Sequence, residues 1–277
     1  MVDIYVTIKK INDFSISLYM FKMKLENADD YVSKWTELEA EDLLADIFKK
    51  FGTQAAIGTS FQKTGLVIMD IASRVADTFR AFTIDTGRLF PETIDYMKQI
   101  EGRYANKLYQ GKIQVFKPDE ERVKEMIKQS HWREYLFLDS TSHREFCCKI
   151  RKVEPSDKAL RTLTVWITGL RKDQSKFRST LPKIQPMMAN GRQIIKVSPV
   201  YTWSESDLDE YIKKRNLPVH PLYSEGYATI GCKQPCTTAT LEGEDPRKGR
   251  WRWELEDDSS KKECKIHLSS YGDGSGI

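Results

Sequence analysis

No stretch rich in glycine, serine and proline divides this chain, so nothing in it marks a linker between two domains. One large domain with appendages follows. Its 277 residues, 40% of them hydrophobic, suffice for one sizeable core, or one core and a small satellite. No apolar run is long enough to cross a bilayer. The opening MVDIYVTIKKINDFSISLYMFKMKL is broken by Lys9, Lys10, Asp13, Lys22 and Lys24, and it does not end in the small residues of a targeting signal. The expectation is a cytoplasmic protein without membrane contact. A large excess of one charge is also missing. The 44 basic and 40 acidic residues leave a net charge of +4, which lacks the basic stripe of a nucleic-acid binder but suits a small anionic ligand. Cysteine is scarce and odd in number, five in all, so clusters of it point to metal or catalysis rather than a disulfide framework. The five fall as the adjacent Cys147 and Cys148, the spaced Cys232 and Cys236, and the lone Cys264. Two pairs are thus available to hold something, and one cysteine remains to react.

What is present is an alternation of periods. Leu38, Leu43, Leu44, Ile47 and Phe48 recur at helical spacing over 38–51. A short β-like run over 55–60 leads into the helical GLVIMDIASRVAD, and the strand FRAFTID ends in TGRLFPET, where Pro91 and Glu92 open another helix. The strand KIQVF precedes the charged helix PDEERVKEMIKQ, and TLTVWITG runs into LRKDQSKFR. QIIKVSPV reads as a further strand, and SESDLDEYIKKRN as a helix capped by Ser204 and Asp207. This pattern predicts an α/β fold: a mostly parallel twisted sheet with helices on both faces. Ligands of such sheets bind at the carboxyl ends of the strands, so the loops after Ser60, Asp85 and Gly169 are the ones to read. Past Pro221 the pattern dissolves, and SSYGDGSGI reads as a flexible C-terminal tail.

The first loop, IGTSFQKTG, sets Thr59, Ser60, Gln62, Lys63 and Thr64 at a helix N-terminus, where unpaired amides and the helix dipole stabilise a phosphate. An ordinary polar turn would read the same way. In the second loop Asp85 can accept hydrogen bonds from a ribose or base and Arg88 can face an anion, or Asp85 can simply cap the turn. The third carries Arg171, Lys172, Lys176 and Arg178, four cations within eight residues, suited to sulfate or phosphate or merely to solvent. The two cysteine pairs together supply the four thiolates of an iron–sulfur cluster, with structural zinc as the competing reading. Cys264 lies among Lys261, Lys262, Lys265 and His267, cations that raise the thiolate fraction a nucleophile needs.

In order along the chain stand TSFQKTG, TIDTGRLFPET, CCKIRKVEP, TGLRKDQSKFR, GYATIGCKQPC, GRWRWE and KKECKIH. This series resembles the assimilatory adenylyl sulfate (APS) reductases, the cluster-bearing branch of the sulfonucleotide reductases, over roughly residues 50–267. The resemblance implies a fold similar to the adenine nucleotide α-hydrolases. It implies a [4Fe-4S] cluster on Cys147, Cys148, Cys232 and Cys236, and Cys264 as the catalytic nucleophile. The expected substrate-binding set is Thr59, Ser60, Gln62, Lys63, Thr64, Asp85, Arg88, Lys152, Gly169, Arg171, Arg178, Arg247, Arg250 and His267. The implied partners are APS or its 3′-phosphorylated form PAPS and a thioredoxin or glutaredoxin, and the implied assembly is a homo-oligomer. Nucleic acid and membrane are not among the expected partners.

Three departures from the family pattern stand out. The second cysteine pair has three intervening residues where the family has two, Lys265 replaces a glycine, and Asp257 to Ser260 lengthen the approach to Cys264 as a flexible hinge. Lys63 in the first loop raises the prospect of a PAPS 3′-phosphate. The expected division is an N-terminal extension over 1–35, a nucleotide-binding domain with the cluster over 36–250, and a tail carrying the nucleophile over 251–277. Two alternatives stay open. One is an ATP-dependent thiolase of the same fold, whose Ser-Gly-Gly-x-Asp-Ser loop is missing at 59–64, and the other is a zinc-stabilised nucleotide-binding protein without turnover.

Overall fold

The computed structural model describes residues 28–129 and 133–254. The expected nucleophile Cys264, His267 and the tail beyond Glu254 lie outside the described residues, as do residues 1–27. The helices are α1 (Ala28–Thr36), α2 (Ala40–Phe51), α3 (Lys63–Val75), α4 (Pro91–Tyr104), α5 (Glu120–Lys128), α6 (Thr141–Cys148), α7 (Glu154–Leu160) and α8 (Glu205–Arg215). The strands are β1 (Ala55–Gly58), β2 (Arg80–Ile84), β3 (Gln114–Phe116), β4 (Val165–Ile167), β5 (Ile184–Ala189) and β6 (Arg192–Val197).

Successive side chains of a strand leave opposite faces of a sheet, and here both faces are apolar. Ala55, Ile57, Ala81, Val165, Ile167, Ile195 and Val197 point into one core with Leu43 and Ile47 of α2, Val67 and Ile71 of α3, Ile100 of α4 and Leu208 of α8. Their neighbours Ala56, Phe82, Trp166 and Ile194 point the other way, onto Ala159 and Leu160 of α7. The two central strands, AAIG and VWI, therefore read as continuous apolar runs. Ile57 is fully buried on the central strand, so Ile57→Ala should cost about 3 kcal/mol, seen as a lower urea midpoint at unchanged slope.

The strand order is β3-β2-β1-β4-β6-β5. Every neighbouring pair is parallel except β5 with β6. The chain runs outward from β1 through β2 to β3, then returns to β4 on the other side of β1. The direction of winding thus reverses between β1 and β4, which opens a crevice at their carboxyl ends.

Strand β5, the helices α1, α6 and α7, and the π turn between the last two were not anticipated. Strand β5, IQPMMA, holds Pro186 and shows no clean alternation, which an edge strand tolerates. It joins β6 through Asn190 and Gly191, both at positive φ (52° and 70°), the two-residue turn that Asn-Gly favours. Helices α6 and α7 are bridged by a π-helical turn, Lys149–Val153. Local patterning carries no signal for such a turn, and it recurs at functional sites. The border expected at residue 35 falls within the core. Trp35 is fully buried, packs edge-on against Phe51 at 5.8 Å and donates its indole N–H to Asp46 at 2.7 Å. Among the described residues no helix is long and apolar enough to cross a membrane.

Candidate active site

A cavity of about 740 Å³ opens at the β1/β4 crevice, within the size range of small-molecule sites. Its near wall is the β1–α3 loop. Gly58 ends β1 because a Cβ there would stand 2.7 Å from Trp166 Nε1. Thr59 Oγ1 accepts from Phe61 N–H at 3.0 Å, and Phe61, at φ 60°, turns its ring inward against Tyr96. This tight turn aims the first turn of α3 at the cavity. Its N-cap residue Gln62 offers no side chain to the helix amides, because that carboxamide is used elsewhere. Gln62 Oε1 accepts from Ile230 N–H at 3.2 Å and its Nε2 donates to Ser60 Oγ at 3.0 Å. Lys63 N–H, the first amide of α3, donates to Tyr223 Oη at 3.2 Å, and Thr64 and Gly65, which follow it, line the cavity and bring the next amides of the helix to it as an anion- or hydroxyl-binding end.

Arg171 reaches this end from the β4 side. It is buried, donates to Thr64 Oγ1 at 3.3 Å, to both oxygens of Asp173 at 3.0 and 3.2 Å, and to Glu205 at 2.7 Å. Lys63 is likewise engaged, 2.9 Å from Glu205 and 2.6 Å from Asp209 of α8 and over the Tyr223 ring. Its charge is thus already matched by two carboxylates where it lines the cavity. Both of its carboxylate partners sit on a helix distant in sequence. Arg178 binds Gln174, whose Oε1 also accepts from Arg171 N–H.

The far wall carries the cysteines. Cys147 and Cys148 at the end of α6 and Cys232 and Cys236 of the following irregular segment all line the cavity, and none is in a disulfide. They share an apolar patch with Phe137, Ile150 and Trp251. Thr86 Oγ1 stands 3.3 Å from Cys232 Sγ, and Lys233 N–H donates to Arg88 O at 2.7 Å, so the extra residue between Cys232 and Cys236 is absorbed within a braced loop. Burial pushes the Cys147 thiol up to about 11, against the charge of Arg151, and the Cys236 thiol up to about 12. Among the described residues, no three His, Cys, Asp or Glu side chains converge as ligands of a metal ion would.

Cations surround these thiols. Arg88 is buried with its guanidinium 4.8 Å from the Phe137 ring, and its Nε and Nη2 have no hydrogen-bond partner. Arg151 donates to Thr86 O at 2.9 Å, while its Nε and that of Arg250 are buried without a partner. Guanidinium nitrogens left this way are costly unless a ligand completes them. Arg247, Lys152 and Gly169 also line the cavity.

The structure thus gathers every described member of the expected set around one cavity, with one exception. Asp85 is not in the wall. Its carboxylate accepts from Gly87 N–H at 2.9 Å and pairs with Lys117 at 3.4 Å, so it caps the turn. Sequence reading did not single out Arg144, Arg151, Glu205 or Tyr223. Arg151 is turned inward by the π turn, and the other three depend on contacts between distant segments, which no local pattern signals. Phe82, Ile84 and Trp166 add an apolar wall suited to a flat base.

A doubly wound sheet with an anion-binding cavity at its switch point defines a nucleotide-binding α/β protein. Comparison carries this further. Residues 54–239 match the family described as the phosphoadenosine phosphosulfate reductase domain, and the chain belongs to that family of oxidoreductases acting on sulfur. It is 35% identical, over 85% of this chain and 86% of the relative, to the adenosine 5′-phosphosulfate reductase of Allochromatium vinosum. It is also 32% identical, over 84% of this chain and 90% of the relative, to the phosphoadenosine 5′-phosphosulfate reductase of Gloeobacter violaceus. The crystal structure of the phosphoadenylyl-sulfate reductase of Candida auris, in a phosphate complex, superposes with a TM-score of 0.59. It shares 27% identity, covering 75% of this chain and 95% of that one.

Proposed function

We propose that this protein reduces adenylyl sulfate to sulfite and AMP through Cys264. The observation that carries this reading is the set of buried guanidinium nitrogens of Arg88, Arg151 and Arg250 without partners, gathered beside four cysteines. A phosphosulfate placed there would satisfy them, with its charge neutralised in a largely dry site. The thiolate of Cys264 attacks the sulfur, the S–O bond to AMP breaks, and the sulfonate passes to Cys264 as an S-sulfocysteine. The arginines stabilise the leaving phosphate. A dithiol reductant of the thioredoxin or glutaredoxin class then attacks Cys264 Sγ and releases sulfite, leaving a mixed disulfide. The reductant's second thiol opens that disulfide, becomes oxidised and returns the Cys264 thiolate. Free thiols of this kind belong in a reducing compartment such as the cytoplasm.

For the four wall cysteines an iron–sulfur cluster is the preferred ligand over one zinc ion, because the adjacent Cys147 and Cys148 are awkward partners on a single tetrahedral ion, and the guanidinium groups of Arg88, Arg151 and Arg250 beside them would balance the negative charge of thiolates and sulfides. Once bound, such a cluster would supply a fixed charge beside the phosphosulfate. Cys147, Cys148, Cys232 and Cys236 would hold it. As bare thiols, Cys147 and Cys236 are pushed up by burial, the reverse of what a nucleophile needs.

Between the two substrates, the α3 end favours APS. Lys63 and Arg171 are matched there by Glu205, Asp209 and Asp173, so a 3′-phosphate added beside them would meet three carboxylates and two cations already paired. Asp209→Asn with Glu205→Gln should raise the PAPS-to-APS ratio of kcat/KM about tenfold. A wild-type preference for PAPS would discard the assignment. The reading as a whole is tested by intact-protein mass spectrometry after anaerobic incubation with APS and no reductant. The expected product is a sulfonate adduct mapping to Cys264 that disappears on adding thioredoxin. Iron-replete protein that forms no adduct with APS or PAPS would overturn it.

A further inference from the structure

The last described residues before Cys264 do not leave the domain freely. Arg144 of α6 donates to Glu254 through Nε to Oε1 at 2.8 Å and through Nη2 to Oε2 at 3.2 Å, a two-pronged pair. Both side chains are buried, 4% and 11% exposed, so this pair escapes the screening that makes surface pairs weak. The Arg144 guanidinium also lies 4.2 Å from the centre of the Trp251 ring, against which Arg250 packs at 5.0 Å. Trp251 is itself buried, at φ 49°, and donates its N–H to Cys236 O at 3.2 Å. Trp253 packs against Phe137 at 5.8 Å, and Arg250 bridges to Thr237. The segment 250–254 is therefore a strap. It is bound on one side to the helix that ends in Cys147 and Cys148, and on the other to the backbone of Cys236.

We propose that Arg144 and Glu254 are positioning residues: their buried ion pair fixes the root of the C-terminal segment on the cysteine-bearing wall, and thereby sets where Cys264 starts its approach to the substrate. The inference rests on the reading of Cys264 as nucleophile. Its physical basis is tether length. Cys264 is the tenth residue after Glu254, and ten extended residues span at most ~35 Å, so the site of attachment decides how much of the sampled volume contains the cavity. A nucleophile on such a tether acts at an effective concentration set by its anchor. Glu254 does not line the cavity, whereas its partner Arg144 does, so Glu254→Ala is the variant on which AMP affinity is expected to hold.

The experiment uses the iron-replete full chain and compares wild type with Glu254→Ala, Arg144→Ala and the exchanged pair Arg144→Glu/Glu254→Arg. Four quantities are measured: the single-turnover rate of sulfonate transfer to Cys264, the Kd for AMP, the iron content, and the rate of proteolysis between Glu254 and Cys264. Glu254→Ala is expected to slow transfer at least tenfold while AMP affinity and iron stay within twofold. Proteolysis should accelerate at least tenfold, and the exchanged pair should recover a third or more of the transfer rate. Transfer within twofold of wild type in both alanine variants would overturn the proposal. So would loss of iron in proportion to loss of rate, since the pair would then merely hold the cysteine wall together. If wild type itself forms no adduct, the reductase reading fails on its own. The proteolysis comparison then still decides whether the pair anchors the segment.

Discussion

Cys264→Ser is expected to lower sulfite release below about one part in a thousand of wild type and to abolish the sulfonate adduct, with AMP binding unchanged. A hydroxyl at this position is almost wholly protonated at neutral pH, whereas a thiol beside Lys261, Lys262 and Lys265 has a larger thiolate fraction and a softer, more nucleophilic atom. The loss should fall on the chemical step, because the described walls of the cavity proposed for the nucleotide, among them residues of 58–65, 86–89, 151–152, 168–175 and 228–232, are untouched by this substitution. A direct assay separates the two. Equilibrium AMP binding should be retained within twofold, while rapid-quench formation of AMP from APS disappears. Turnover at more than a tenth of the wild-type rate would show that Cys264 is not the group that breaks the S–O bond.

Serine in place of Cys147 or Cys236 should act differently, removing bound iron and labile sulfide together and lowering stability by several kcal/mol. Both thiols are buried, 6% and 7% exposed, among Ile150, Phe137 and Trp251. A serine hydroxyl there is a poor ligand and also leaves a polar group in an apolar patch. Binding energy for a cluster is folding energy for the segments that hold it, so its loss should loosen the Cys232–Cys236 loop and the strap 250–254 together. The measurement is iron and sulfide content alongside thermal unfolding, read with the visible absorption of the purified protein. Retention of iron by both variants would remove these cysteines from the ligand set. Zinc without sulfide in the wild type would return the alternative reading of a structural zinc site.

These two predictions lie at opposite ends of what the chain reveals about itself. The cysteine pairs and Cys264 stand out in the sequence because thiols are few and their chemistry is specific. The β1–α3 loop and Arg88 stand out because turn residues at strand ends have few other uses. The sheet is likewise written locally: buried strands such as AAIG and VWI are apolar at every position because both faces are covered, and each is bounded by turn residues. Pro186 hid the edge strand, and the Asn190–Gly191 turn that announces it was the one hairpin signal available.

Charge state at the site was not legible, because it depends on which distant segments meet. Lys63 reads as an open cation in TSFQKTG, but α8, some 140 residues on, brings Glu205 and Asp209 against it. Asp85 reads as a ribose ligand, yet Gly87 and Lys117 take its carboxylate. Arg151 becomes a buried donor because a π turn rotates it inward, and Glu254 becomes an anchor because Arg144 waits 110 residues earlier in sequence. What the sequence by itself determined was five of the six strands, the helices α2 to α5 and α8, the thiols, and the loops that reach the cavity, since these follow from side-chain period and residue type. Only the tertiary structure decided which charges are matched and which remain for a ligand. Ion pairing is set by separation in space, and the folded chain makes neighbours of residues that its order keeps far apart.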